Sequence, residues 1–217
     1  MVRKILRYGV PSGVYSVLNV VTFAVFVFAT GALGEQECAL SNACFKVNYL
    51  LIAPMEGFAL AAATLVGQAQ GRGDSRAAHM AAKRCLALGV AFVAAASLLA
   101  VVFYRPILSL FVSPLTRLTT FYGTGFSLFV LMAAWQVFDA ADVIVSGALK
   151  GAGDTKFVMW WMVAVSMGFW MPLVWAAATW SDSMVVLWST MVAYVVVICA
   201  GTLLRWYGGR WRRIKMI

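Results

Sequence analysis

Charge is scarce in this 217-residue chain: Asp, Glu, Lys and Arg make up 12% of it, and only 8 residues are acidic. Ordinary globular domains carry about 25% charged residues, so too few are present to cover a water-facing exterior. The same shortage excludes a disordered chain or a nucleic-acid-binding arm, which need polar or strongly basic sequence. Four cysteines and one histidine exclude a disulfide scaffold and leave no cluster with metal-ligand spacing, so no structural metal is expected. Apolar residues are abundant, at 63% against about 45–50% in globular domains. This is the composition of an integral membrane protein, and the expected fold is all-α.

A helix needs about 20 mostly apolar residues to cross a hydrocarbon core of about 30 Å. Six such runs are found, at roughly 8–33, 45–68, 85–104, 119–147, 157–179 and 184–204, which leaves no room for a soluble domain; residues 1–217 read as one six-helix bundle. The 17 basic residues fall between these runs and carry topology. Fourteen lie on one side: Arg3, Lys4, Arg7, Arg72, Arg76, Lys83, Arg84, Lys150, Lys156, Arg205, Arg210, Arg212, Arg213 and Lys215. Three lie on the other, Lys46, Arg105 and Arg117. Basic loops stay in the cytoplasm, so both termini are expected inside a plasma (inner) membrane. Glu35, Glu37 and Asp182 then fall outside. Trp206, Tyr207 and Trp211 in the Arg-rich tail read either as an interfacial anchor on an anionic leaflet or as a tail that only fixes topology. The run from Val10 to Leu33 is too long for a cleavable signal peptide.

Cys38 and Cys44 flank the first outer connector, and six residues at a helix start is poor geometry for a disulfide. His79 stands alone in an inner connector. Pro54 and Pro172 lie inside spans, where each leaves a carbonyl without its usual partner and is expected to create a kink or a local ligand. Pro11 and Pro106 lie near span ends.

The chain repeats itself. Gly67-Gln-Ala-Gln-Gly71-Arg-Gly73-Asp74-Ser75-Arg76 returns eighty residues later as Gly147-Ala-Leu-Lys150-Gly151-Ala-Gly153-Asp154-Thr155-Lys156. Both copies end a helix. A glycine can close it in a left-handed conformation, the Asp or Ser/Thr can cap the next one, and the spacing of small residues lets neighbouring helices approach closely. A phosphate-binding reading fails, because neither copy has the order G-x-x-x-x-G-K-[ST] or a preceding strand. No catalytic constellation is found, and the chain is not expected to be an enzyme.

Three acids lie inside spans, Glu56, Asp139 and Asp142, and no Lys or Arg is found deep enough to neutralise them. A charge at a helix centre costs about 2.5–3.5 kcal/mol on insertion scales. These acids therefore need protonation, a bound cation, a water-filled cavity or a partner chain. Asp139 and Glu56, with Asn19 in the first span, lie near the midplane, where secondary transporters hold coupling ions and substrates. Trp135, Asp139, Asp142 and Ser146 share one face of the fourth helix, and Ser12, Tyr15, Ser16 and Asn19 share one face of the first. The two stripes are expected to border one cavity; alternatively, the first-helix hydroxyls bond back to their own helix. Trp135, Tyr15 and Tyr49 are candidates for stacking on flat organic cations.

The repeat segments, including Ala61 through Gly71 and Phe138-Asp139 through Thr155, resemble the C-terminal half of multidrug and toxic compound extrusion (MATE) transporters. Gly9-Val-Pro11-Ser-Gly13 resembles the start of that family's seventh helix, and Trp170-Met-Pro172-Leu its eleventh. The resemblance implies one six-helix lobe of a twelve-helix transporter. It also implies that Asp139 occupies a position where many members place an acid for cation coupling, and Asn19 one where several have a glutamate. An amide oxygen can ligate Na⁺ but carries no proton, so proton coupling would rest on Asp139 or Glu56. Glu56 has no counterpart in the family pattern.

The expected function is cation-coupled antiport of amphipathic organic cations, with Na⁺ or H⁺ as coupling ion and no other cofactor. Asp139, Glu56 and Asn19 are its coupling residues, with transient Na⁺ at Asp139. Trp135, Asp142, Tyr15, Ser16 and Tyr49 are its candidate substrate cavity. The partners are the small cation, membrane lipid, and an N-terminal lobe or a second copy of this chain. Two other readings stand beside it. One is a non-transporting structural subunit or gene remnant. The other is a flippase of a lipid-linked sugar from the same superfamily, which would need basic residues in its cavity to hold a pyrophosphate.

Overall fold

The structure, a computed structural model, describes residues 2–111, 118–181 and 183–214. Arg117, Asp182 and Lys215 lie outside them, and the side chains of Arg3, Lys4, Arg7, Glu35, Glu37 and Cys38 lie outside the described side chains. The chain runs α1 (Val2–Gly31), α2 (Glu35–Gly71), α3 (Ser75–Val102), α4 (Tyr104–Phe111), α5 (Leu118–Gly151), α6 (Thr155–Val165), a π turn (Ser166–Trp170), α7 (Met171–Trp180) and α8 (Met184–Tyr207), then a 3₁₀ turn (Arg210–Arg213). Among the described residues, six stretches are long and apolar enough to cross a membrane, α6, the π turn and α7 together making the fifth. The all-α, six-span architecture is the one expected.

Element ends differ from the expected ones for one reason. Hydropathy marks where a helix meets hydrocarbon, whereas backbone hydrogen bonding carries it on into the polar layers. The 37 residues of α2 measure about 55 Å at 1.5 Å per residue, well beyond the apolar thickness. His79, Lys83 and Arg84 accordingly lie in α3 and Cys44 in α2, where connectors were expected. Cys44 is buried with a free thiol. The short α4 was not anticipated. It follows a break at Phe103 and holds Pro106 in its first turn, where a missing N–H costs no helical bond.

α5 lies at the centre and packs along α2, α3 and α8. Its contact with α2 runs backbone to backbone. A Cβ built on Gly147 would meet the Ala59 carbonyl oxygen at 2.6 Å, and one on Gly151 would collide with the Ala63 backbone. Gly67 on α2 in turn faces the Gly151 carbonyl. Small residues at four-residue spacing on both helices permit this approach.

The two repeats fold alike. Gly73 and Gly153 have φ of +77° and +86°. Asp74 N–H donates to Ala69 O at 3.0 Å and Gly73 N–H to Gln70 O at 3.0 Å; Asp154 N–H donates to Leu149 O at 2.9 Å and Gly153 N–H to Lys150 O at 3.0 Å. Each is the Schellman closure that a left-handed glycine allows. Their aspartates then diverge. Asp74 caps α3 through the Ala77 N–H at 2.8 Å, as expected. Asp154 makes no cap bond; Arg205 takes its carboxylate in a two-point pair at 2.7 and 3.3 Å.

The tail also departs from expectation. Trp206 and Trp211 are buried and stack at 4.2 Å, and Trp206 also stacks on His79 at 6.0 Å. Tyr207 alone of the three tail aromatics is exposed. The two tryptophans close the end of the bundle instead of resting in lipid headgroups. At Pro172 the helix inserts a π turn over Ser166–Trp170 just before the proline.

Gly151→Ala pushes a methyl into the α2 backbone and is expected to cost about 1–3 kcal/mol. Gly71→Ala, whose added methyl meets nothing within 4 Å, is expected to leave the thermal midpoint of the detergent-purified protein nearly unchanged. Equal losses at the two positions would remove close packing as the cause.

Candidate functional site

Four helices border a cavity of about 320 Å³ near the middle of their spans. α1 supplies Asn19, α2 supplies Asn48, Tyr49 and Glu56, α5 supplies Trp135 and Asp139, and α8 supplies Tyr194. A second cavity, about 360 Å³, continues towards the repeat turns and is bordered by Tyr15, Ser16, Asn19, Glu56, Gly147 and Lys150. Asn19, Val20, Glu56 and Val143 border both, so the two form one path along α1, α2 and α5.

The aromatic wall is fixed from behind. Trp135 meets Trp188 edge-on at 6.0 Å, and Trp188 stacks on Phe45 and donates its indole N–H to Ser41 Oγ at 3.0 Å. Tyr194 extends from this cavity to the π turn, where its hydroxyl lies 3.1 Å from Ser166 Oγ.

The sequence-predicted residues separate into two groups. Asn19, Glu56, Asp139, Trp135 and Tyr49 come together on the first cavity, and Tyr15 and Ser16 on the second. Ser16 bonds back to the Ser12 carbonyl at 3.1 Å, the local alternative for that stripe. Asp142 borders neither cavity, in contrast to its expected place on the polar face. It is 3% exposed, and its carboxylate accepts from Thr202 Oγ1 at 2.8 Å and Ser146 Oγ at 3.5 Å, with the Tyr15 hydroxyl directed at it. Three residues separate it from Asp139, an offset of about 60° around α5, and at its own height the Thr202 hydroxyl of α8 takes its carboxylate.

A second correction concerns cations. Lys150 was read as an inner-side residue lying too far out to matter. Its ammonium lies 3.6 Å from the centre of the Tyr15 ring, borders the second cavity, and acts electrostatically on Asp142 and Glu56. A lysine side chain leaves its helix towards the N-terminal end, which for α5 is the direction of Asp139.

Sequence reasoning also missed Asn48, which is 2% exposed and borders the first cavity. Asn48, Ile52 and Glu56 recur every four residues on one face of α2 and all fall inside the expected span 45–68, so this signal was present in the sequence.

The geometry and the family comparison agree. The sequence model of the family described as MatE matches residues 11–176. This chain belongs to the MatE family. It is 25% identical over 173 residues to the multidrug resistance protein MdtK of Edwardsiella ictaluri, an alignment covering 77% of this chain and 37% of MdtK. It is 29% identical over 186 residues to the probable multidrug resistance protein NorM of Rhodopseudomonas palustris, covering 84% of this chain and 38% of NorM. Two solved structures share the fold. One, described as a MOP superfamily transporter from Pyrococcus furiosus whose binding pocket has reversed polarity, superimposes with a TM-score of 0.79 at 15% identity over 97% of this chain and 45% of its own. The other, an outward-facing multidrug resistance MATE family transporter, gives 0.72 at 17% identity over 95% of this chain and 45% of its own. This MatE chain thus spans less than half the length of the relatives it matches, and it is a multi-pass membrane protein.

Thr202→Val removes the shortest hydrogen bond to the buried Asp142 carboxylate. It is expected to cost about 1–3 kcal/mol, read as a lower thermal midpoint, and the Thr202→Val/Asp142→Asn pair is expected to lose less than the sum of the single changes. Additive losses would mean that the hydroxyl does not serve that carboxylate.

Proposed function

We propose that this MatE chain is one lobe of a cation-coupled antiporter that exports amphipathic organic cations across the plasma (inner) membrane, with both termini in the cytoplasm. The observation that carries this reading is the shared cavity of Glu56, Asp139 and Asn19 at mid-span. Carboxyl groups in hydrocarbon demand a proton or a cation, and an open path of this size admits either. The names of its relatives, multidrug resistance proteins, support the substrate class. Their greater length supports a second lobe as partner, either an N-terminal half or another copy of this chain.

In this mechanism Asp139 and Glu56 hold either the coupling cation or the substrate. One carboxylate cannot serve both ligands at full strength, and this competition links inward cation flow to outward substrate flow. Rocking against the partner lobe alternates access. The Asn19 amide oxygen can join a Na⁺ shell but carries no proton. Trp135 and Tyr49 offer ring faces to a flat cation. A pyrophosphate-bearing lipid is disfavoured, since the path holds Lys150 against Glu56 and Asp139 and so remains net anionic.

Efflux of the fluorescent cation rhodamine 6G is the test, in cells expressing the chain with and without a complementary first lobe, and with and without a Na⁺ gradient. Asp139→Asn and Glu56→Gln are each expected to slow initial efflux by about tenfold or more, the scale of one lost charge pair in a dry site. Unchanged transport in both variants would overturn the site assignment.

A further inference from the structure

The two repeats place Lys150 and Gln70 at matching positions on matching backbone. Each stands three residues before its left-handed glycine and accepts that glycine's N–H through its carbonyl at 3.0 Å. Their side chains go opposite ways. Gln70 turns to the end of the bundle and donates through Nε2 to the Ile214 carbonyl at 3.2 Å. Lys150 turns inward. A lysine in the last turn of a membrane helix ordinarily extends to the headgroups, where its ammonium is hydrated. This one is half-buried and stands 3.6 Å above the Tyr15 ring on a cavity wall that also includes Glu56 and Asn19.

Three features surround that ammonium: an aromatic face, the nearby Asp142 carboxylate and, across the cavity, the Glu56 carboxylate. An organic cation in the cavity would be recognised by two of them, the Tyr15 face and the Glu56 carboxylate, Asp142 standing behind the lining. We propose that Lys150 is a tethered resident cation of this cavity, which occupies the Tyr15 face and balances the Glu56 side of the site when no substrate is bound, and which an incoming organic cation must displace. This rests on the antiport reading above and specifies what stands opposite Glu56 between loads.

The consequences follow from charge balance. An empty site with ionised carboxyl groups facing hydrocarbon would be unstable and would retain its last cation; a lysine on a four-carbon stem offsets one of those charges and promotes release. It also sets a threshold, because a guest must offer enough ring stacking and apolar contact to outcompete an ammonium already in place. At the Tyr15 face small hydrated cations fall below that threshold, whereas large aryl-bearing ones exceed it. Lys150 is thus a specificity-determining residue that acts by competing with the guest. The close contact of Gly151 with Ala63 fixes the last turn of α5 and so the root of the stem.

The test uses tetraphenylphosphonium and tetraphenylborate, ions of nearly the same shape and opposite charge, with binding to the purified full chain in lipid nanodiscs followed by calorimetry. Lys150→Met is expected to tighten tetraphenylphosphonium binding by about 3- to 30-fold, the range that loss of a competing cation–π contact allows. Lys150→Arg, which keeps the charge, is expected to stay within about twofold of the wild type. Unchanged or weaker phosphonium binding in Lys150→Met would overturn the proposal. So would wild-type binding of tetraphenylborate that Lys150→Met abolishes, since it would make Lys150 an anion ligand. The thermal midpoint and helical circular dichroism of both variants report whether they fold, and Lys150→Arg alone decides the matter if Lys150→Met does not: phosphonium affinity changed beyond about fivefold in a folded, equally charged variant would count against competition by charge. Failure of the antiport reading has a different signature, namely Asp139→Asn and Glu56→Gln leaving phosphonium binding unchanged.

Discussion

The contact of α5 with α2 determines where everything else lies. Gly147 and Gly151 meet Ala59 and Ala63 with no side chain between the two backbones. Side-chain repacking therefore cannot make one helix slide along the other, and neighbouring side chains inherit a fixed relative height. Glu56 stands one turn before Ala59 and Asp139 two turns before Gly147. A cavity between parallel helices ordinarily needs long residues to prop it open. Here the helices touch at one end, and the path above lies where α1 and α8 close the other sides. In a bilayer, where lipid tails are as apolar as leucine, such van der Waals contact and internal hydrogen bonding replace the hydrophobic effect as the source of helix association.

Within that frame, polar groups divide by whether the protein itself satisfies them. Asp142 has Thr202 and Ser146, and Asp154 has Arg205. These acids hold helices together, α5 to α8 in the first case and the second repeat turn to α8 in the second. Glu56 and Asp139 face open space instead. Four acids in one small bundle thus serve two different ends, and residue type alone does not distinguish them.

How much of this was legible in the sequence follows from the same distinction. Six spans and two matching turns could be read because hydropathy and glycine spacing are local properties of the chain. Asn19, Glu56 and Asp139 could be grouped because depth along a helix is only a count of residues. Direction around a helix was legible only within a turn: Asp142 sits on the same nominal stripe as Asp139 yet faces Thr202, because α8 supplies a hydroxyl at that height and no pattern within α5 announces it. Lys150 was misjudged for a related reason, since position near a helix end says where the Cα lies and leaves open whether a four-carbon stem runs outward to water or back into the bundle. The tail tryptophans were misread likewise. Aromatic residues beside arginines suit a headgroup layer, and only the packed His79 side of α3 shows that they have a protein surface to cover.

The π turn before Pro172 changes what the fifth span presents along its length. Val158, Met162 and Val165 are buried below it, and Ser166, Trp170 and Val174 are buried through and above it, while Phe169 is exposed. An uninterrupted α-helix carrying the lower face upward would bury residue 169 in place of 170, a rotation of about 100°. The extra residue therefore acts as a phase shift that lets one segment mate with two surroundings of different periodicity: Trp161 against the Ile198 carbonyl in one half, and Trp170 between Phe26 and Tyr194 in the other. Each half keeps its own partners, so a twist in one need not be transmitted to its other end.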